Sequence, residues 1–379
     1  MVRSLLAALS PLALLAASCG PSAAGDSAPA SAEQRDAFGV TPIATLDEPW
    51  AMTLLPDGKT ALITEKAGRI WMVSLKDGSK RVVGGAPKVD YGGQGGLGDV
   101  QLAPDFTTSG RVYLTWAEAG PDNTRGAALG LATLVQSPAP RLADLKVIWR
   151  QSPKVTGRGH YSHRIAFSPD GRFLFLSSGE RQKFTPAQDL SNNLGKVLRL
   201  NLDGTPASGN PFANKGGVGA QIWSYGHRNV LGLKFDAQSR LWDLEHGPAG
   251  GDELNLVEPG KNYGWPLVSD GDNYDGTPIP RNRTRPDLAG PAISWNPVIA
   301  PGDFIFHSGK MWPEWKGQAL IAALGAQGLV RVRIDGDKAS EQARYPLGNR
   351  IREIVEAPDG ALLVLEDRSG GRLLRLSRK

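Results

Sequence analysis

The sequence predicts an all-β chain, a six-bladed β-propeller of four-stranded antiparallel blades. Three observations carry that prediction: one short phrase returns along the chain, its spacing is regular, and no helical periodicity competes with it. The phrase is a turn bearing proline or aspartate, a strand of alternating apolar residues, a polar turn and a second such strand. It first appears as Pro56-Asp57-Gly58 before Ala61–Thr64, with Gly68–Val73 as its second strand. Copies follow at Pro104-Asp105 with Arg111–Leu114, and at Pro169-Asp170-Gly171 with Phe173–Leu176. Fainter ones stand at Asp236 with Arg240–Trp242 and at Trp315-Lys316-Gly317 with Ala319–Ile321. The last is Pro358-Asp359-Gly360 with Leu362–Leu365, then Arg372–Leu376. Asp-Gly supplies turn geometry and the β-rich runs supply buried strands. A period of about 40 to 60 residues holding several strands is that of propeller blades. A pair of β-sandwiches is the other architecture open to such strands. The stretches 181–194 and 262–311 interrupt the repeat and are expected to be loops or insertions.

Composition agrees. Among 379 residues there are 47 glycines, 28 prolines and ten tryptophans, and 40% of the chain is hydrophobic, enough for a large core joined by many tight turns. The net charge of +5 is spread along the chain with no basic run carrying interleaved aromatics, which argues against nucleic acid. At the start, Arg3 precedes an apolar run from Leu5 to Ala17, too short to span a bilayer, so residues 1–18 read as a lipoprotein signal peptide. Cys19, the single cysteine, stands where such a signal places its lipidated residue, although Leu15 lies one place further from it than the usual leucine; ordinary cleavage with an idle Cys19 is the alternative. Disulfides are thereby excluded. Residues 19–37, rich in Ala, Ser and Pro, read as a flexible tether, and 38–379 as the propeller domain. Gly20 carries no acidic retention signal, which points to an outer-membrane anchor on the periplasmic side.

Propellers bind ligands on one face of the central channel, on surfaces built by loops. Several loop segments mix glycine with groups that core packing would not choose: Gly157–Arg164, Tyr225–Asn229, Glu245–Glu253 ahead of Asn262–Pro266, and Arg350-Ile351-Arg352. Each has a plain alternative, since loop histidines are commonly solvated and an Arg-x-Arg pair commonly forms a charged strand face. His160 and His163 have the look of metal ligands, but no third histidine or cysteine lies close by to complete a zinc site. Alternation places Arg350 and Arg352 on one face of an extended chain.

Taken together and in order, these segments, with Gly92-Gly93-Gln94-Gly95-Gly96-Leu97, resemble the glucose/sorbosone dehydrogenase family of soluble pyrroloquinoline quinone (PQQ) enzymes. The resemblance covers nearly all of residues 40–379. It implies a six-bladed propeller that oxidises aldoses at the anomeric carbon to lactones, passing hydride to PQQ and electrons to an external acceptor. His160 matches the family's proton-abstracting histidine. Gln94, Arg228 and Asn229 match positions beside the cofactor, with Arg228 suited to the oxyanion of a reduced quinone. Arg350 and Arg352 match partners of the PQQ carboxylates. Gly247 and Pro248 match backbone ligands of a calcium ion, and Glu253 with Tyr263 resembles a second calcium site.

The sequence also departs from that pattern. Leu324–Gly328 lacks the lysine that glucose-oxidising members place over the cofactor. Gly159 stands where they have an aspartate that orients the histidine, so His160 needs another partner; His163 replaces a glycine, and Glu180 matches a further carboxylate. Two other functions fit a propeller with such loops: a calcium-dependent lactonase and a non-catalytic lipoprotein that binds glycans or partner proteins. The arginine pair favours an anionic cofactor over both. Which sugar, which acceptor and which oligomeric state are not legible in the sequence.

Overall fold

The computed structural model describes residues 37–379, and the expected signal peptide and Cys19 lie outside the described residues. Six four-stranded antiparallel sheets surround a central axis. The first blade comprises β2 (Pro49–Leu54), β3 (Thr60–Glu65), β4 (Arg69–Ser74) and β5 (Lys80–Val82). The second holds β6 (Leu97–Leu102), β7 (Arg111–Ala119), β8 (Arg125–Val135) and β9 (Arg141–Arg150). Then come β10 (Ser162–Phe167), β11 (Phe173–Ser178), β12 (Lys196–Asn201) and β13 (Ile222–Tyr225). The fourth blade is β14 (Val230–Phe235), β15 (Leu241–Glu245), β16 (Asp252–Leu256) and β17 (Ile293–Trp295). The fifth is β18 (Pro301–Phe306), β19 (Ala319–Ala323), β20 (Gly328–Asp335) and β21 (Lys338–Pro346). In the sixth, β22 (Ile351–Glu356), β23 (Leu362–Glu366) and β24 (Gly371–Arg378) are completed by β1 (Phe38–Leu46), which pairs with β24 from Phe38↔Arg378 to Leu46↔Gly371. The first segment of the domain thus closes the ring on the last.

The recurring turn falls at one structural position throughout: it joins the innermost strand of each blade to the second. In four of the six blades an aspartate side chain accepts backbone N–H groups of the turn. Asp57 Oδ1 takes those of Lys59 and Thr60 at 2.8 and 2.9 Å, and Asp236 Oδ1 those of Gln238 and Arg240 at 2.9 Å each. Gly58 and Gly171 there adopt φ of 61° and 70°, the left-handed region. Between blades the strand centres form continuous apolar layers. Trp50, Leu62 and Ile70 pack on Leu97, Val112 and Leu114, all buried, and burial of each such aliphatic side chain contributes about 1.5–3 kcal/mol.

One expectation is corrected. The stretch 262–311 is not all loop, because it contains β17 and β18, the outer strand of the fourth blade and the inner strand of the fifth. β17 has only three residues, and β18 begins Pro301-Gly302-Asp303, residues that break an apolar pattern without breaking the strand.

Candidate active site

All six inner strands carry an irregularity at the same end, the end away from the aspartate turns. Register shifts lie between Pro49 and Ala51, Leu97 and Val100, Ser162 and Ile165, Val230 and Gly232, Pro301 and Asp303, and Ile351 and Glu353. Bulges re-aim side chains. Here Trp50, His163, Leu231 and Arg352, each at such a shift, line a cavity of about 280 Å³ over the axis. Gly98, at the shift in β6, makes room for one of them: a Cβ there would meet His163 Cε1 at 1.9 Å.

His163 is therefore part of the cavity floor, buried and stacked on Trp50 with centroids 5.0 Å apart. Thr115 Oγ1 donates its one proton to His163 O at 2.8 Å, so at 2.7 Å it accepts from His163 Nδ1. Burial depresses the imidazole to about 3, so the ring is neutral with its lone pair on Nε2. Below it Arg164 plugs the channel, donating to Leu231 O at 2.7 Å, Glu353 Oε2 at 2.6 Å and Gly302 O at 3.0 Å. The cavity opens on one face only.

His160 precedes β10 with φ of 48°, its N–H held by Gln94 Oε1 at 2.7 Å. Its Nδ1 bonds to Glu180 Oε1, and Glu180 is thus the partner that Gly159 cannot be. The other oxygen of Glu180 accepts the N–H groups of Lys183 and Phe184 at 2.5 and 2.6 Å. Burial opposes ionisation of Glu180, but the His160 bond, the Phe184 N–H and the Arg228 charge outweigh it and hold its pKa below the usual value. His160 is itself depressed, by burial first and by Arg228 and Arg181, against the upward pull of Glu180. A neutral imidazole that donates from Nδ1 to a carboxylate keeps its lone pair on Nε2. That is the arrangement of a general base.

Arg228 is buried, with Nη1 on His246 O at 3.1 Å and Nη2 on Tyr274 Oη at 3.3 Å, its guanidinium 5.0 Å from the centre of the Trp265 ring. Its Nε is buried and has no acceptor among the described residues. Glu245 anchors it by accepting the Arg228 N–H at 2.6 Å and, through its other oxygen, His227 Nδ1 at 3.2 Å. Asn229 lines the cavity and accepts Ser162 N–H at 3.3 Å. Arg350 and Arg352 both line it as well, and their Nε atoms share the two oxygens of Asp367 at 3.2 and 3.1 Å. One carboxylate against two guanidinium groups leaves a positive wall, on the side of the ring opposite His160 and Arg228.

The loop from β15 to β16 carries Gly247 and Pro248. Asp252 shapes it, accepting Gly247 N–H at 2.9 Å and Ala300 N–H at 2.7 Å. A Cβ on Gly247 would lie 2.2 Å from the carbonyl oxygens of Gly250 and Gly251, so only glycine fits where these oxygens crowd. Gly247, Glu253, Tyr263, Glu245 and Arg228 line a cleft of about 10 Å³, the room of one water or ion, joined to the main cavity through His246; Pro248 is in the same loop but off the wall. Burial, with Glu245 and Asp270 nearby, pushes the Glu253 carboxyl well up. Crowded oxygens and a carboxylate starved of counter-charge suit a hard cation. The orphaned Arg228 Nε and the two-arginine wall suit a flat polyanion such as PQQ.

Of the residues singled out in the sequence, Gln94, Asn229, Arg350 and Arg352 meet at the cavity, and His160 and Arg228 flank it. Lys66, Tyr274 and Asp367 lie outside the segments singled out in the sequence, and His246 stands inside one of them without a role of its own. Tyr274, 76% exposed, lies in a stretch expected to be loop, where an aromatic residue set among Asp and Asn was the available signal.

Comparison with known proteins agrees with this architecture. The family profile "Glucose / Sorbosone dehydrogenase" matches residues 46–375. The aldose sugar dehydrogenase YliI of Escherichia coli is 39% identical over 338 residues, 88% of this chain and 90% of that one. A crystal structure of the soluble E. coli aldose sugar dehydrogenase in its apo form superposes with a TM-score of 0.86 at 37% identity, over 90% of this chain and all of that one. The PQQ-bound aldose sugar dehydrogenase of Streptomyces coelicolor gives 0.76 at 28% identity, over 90% and 98%. The chain is therefore an oxidoreductase that belongs to the glucose/sorbosone dehydrogenase family.

Proposed function

We propose that this protein oxidises aldose sugars at the anomeric carbon to lactones, using bound PQQ and calcium and delivering electrons to an external acceptor. The observation that carries the reading is the His160–Glu180 pair facing Arg228 across from the Arg350–Arg352 wall. His160 Nε2 takes the proton of the anomeric hydroxyl, and ionised Glu180 stabilises the imidazolium that forms. Gln94 fixes the base by holding its backbone N–H. Arg228, whose Nε–H has no acceptor among the described residues, would stabilise negative charge on the cofactor. PQQ, when bound, supplies the hydride acceptor that no side chain provides. Arg350 and Arg352 would hold its carboxylates and Asn229 a polar edge. The carbonyls of Gly247 and Pro248 would hold one calcium ion, and Glu253 with the backbone of Tyr263 a second. Calcium there would act as a Lewis acid.

We read the chain as exported, lipidated at Cys19 and anchored to the outer membrane, facing the periplasm. Phe38 and Arg378 pair at the face opposite the cavity.

The test uses leaderless protein with PQQ and calcium, an aldose panel of glucose, galactose, arabinose and maltose, and a dye acceptor. Dye reduction is expected to need PQQ and calcium, to stop with EGTA and to vanish in His160→Ala. Failure of PQQ to bind by titration would overturn the reading in favour of a lactonase or a binding protein.

A further inference from the structure

Lys66 lies in the turn between β3 and β4 of the first blade and lines the same cavity as Arg350 and Arg352. Its backbone is fixed from both sides. Its N–H donates to Glu48 O at 3.1 Å, and its carbonyl accepts Leu97 N–H at 2.8 Å. Gly96 packs so closely that a Cβ there would meet Lys66 O at 2.2 Å. The ammonium group, by contrast, is underused: its one hydrogen bond among the described residues is to Glu48 Oε1 at 3.1 Å, and Glu48 also accepts the Tyr91 hydroxyl. Three donors on one acceptor leave two to spare.

Lys66 also sits in the right place. The sixth and first blades are neighbours, joined where Glu48 N–H donates to Arg368 O at 3.0 Å. Lys66, Arg350 and Arg352 therefore form one continuous cationic wall, set against two carboxylates, Glu48 and Asp367. Leu324, in the segment that lacks the family's lysine, lines the same cavity and offers no charge.

We infer that Lys66 is a third anion-binding residue, taking a carboxylate of the cofactor from the first blade while Arg350 and Arg352 take theirs from the sixth. This rests on the PQQ reading above and adds to it which side chain makes good the missing lysine. Glu48 acts as a brake on the same group, since it neutralises Lys66 in the free protein.

The experiment is equilibrium titration of cofactor-free protein, followed by tryptophan quenching, with PQQ and with its uncharged trimethyl ester. Lys66→Met keeps the stem and removes the charge; Glu48→Gln removes the counter-charge on the ammonium group while keeping one acceptor oxygen and an amide that the Tyr91 hydroxyl can accept from. The expected results are a loss of about tenfold in PQQ affinity for Lys66→Met, the strength of one charge-assisted hydrogen bond, and a gain of about twofold or more for Glu48→Gln. Ester affinity should not change in either variant. Unaltered PQQ affinity in Lys66→Met, or equal losses for acid and ester, would overturn the inference while leaving the PQQ reading standing. Wild-type protein that binds neither ligand would overturn both.

Discussion

Replacing Glu180 by glutamine tests whether His160 is a base set by its partner. The carboxylate bonds His160 through one oxygen and the N–H groups of Lys183 and Phe184 through the other, at 2.5 and 2.6 Å. Glutamine has one oxygen, and those two N–H donors claim it. Its amide nitrogen then faces His160 Nδ1, and two donors cannot share a hydrogen bond. The imidazole escapes by moving its proton from Nδ1 to Nε2, which removes the lone pair that takes the substrate proton. A base locked in the wrong tautomer costs about 10³- to 10⁴-fold in kcat. Because the backbone donors stay satisfied, stability should change by no more than ~1 kcal/mol. PQQ affinity should stay close to wild type. Steady-state dye reduction gives kcat and KM, quenching titration gives cofactor affinity, and urea melts give stability. The residual acid limb should also move to lower pH, since Glu180 is what raises His160. A variant with kcat within tenfold of wild type would refute the argument, and one that failed to fold would place Glu180 in the scaffold instead.

Other predictions follow from the same geometry. Because burial and neighbouring arginines depress His160, kcat/KM should hold steady as pH falls through 6.5, with its acid limb centred lower; a limb at or above 6.5 contradicts the site. Gly98→Ala puts a Cβ 1.9 Å from His163 Cε1 and should cost about 1–3 kcal/mol in denaturant melts, largely recovered by adding His163→Gly. His227, which burial alone would depress, is raised to about 9 by Asp243 and Glu245. A folded pKa above the unfolded value means that its stabilisation is complete below about 6.5 and lost as pH rises through about 9. Melts from pH 7 to 10 should show that loss, and His227→Gln should flatten it.

The ring was legible in the sequence because its turns repeat, and in four of the six blades an aspartate caps the backbone of its own turn. Those turns mark the face away from the chemistry. On the working face the six bulges are equally regular, yet their residues are Trp50, Gly98, His163, Leu231, Gly302 and Arg352, with nothing in common to read. His160 and Arg228 were legible through their glycine-rich neighbours. The pairing of His160 with Glu180 depends on β10 and β11 being adjacent, and that of Arg350 and Arg352 with Asp367 on the β22–β23 pair. Lys66 stands in an ordinary turn, Glu65-Lys66-Ala67-Gly68, and becomes a cavity residue only when the first and sixth blades meet.

The pairing of Phe38 with Arg378 makes the molecule a band fastened by its own ends. Closing a loop of that length carries an entropic charge of about 5 kcal/mol, and it is recovered only when the clasp engages. The chain could therefore be permuted, its ends joined and a new opening cut in the exposed Asp335–Lys338 hairpin, with every blade intact. The clasp belongs to the sixth blade, and the cationic wall straddles the sixth and the first. An anion seated against Lys66, Arg350 and Arg352 together rivets the band at its seam. Its binding should raise resistance to unfolding from the ends with the logarithm of ligand concentration over the dissociation constant.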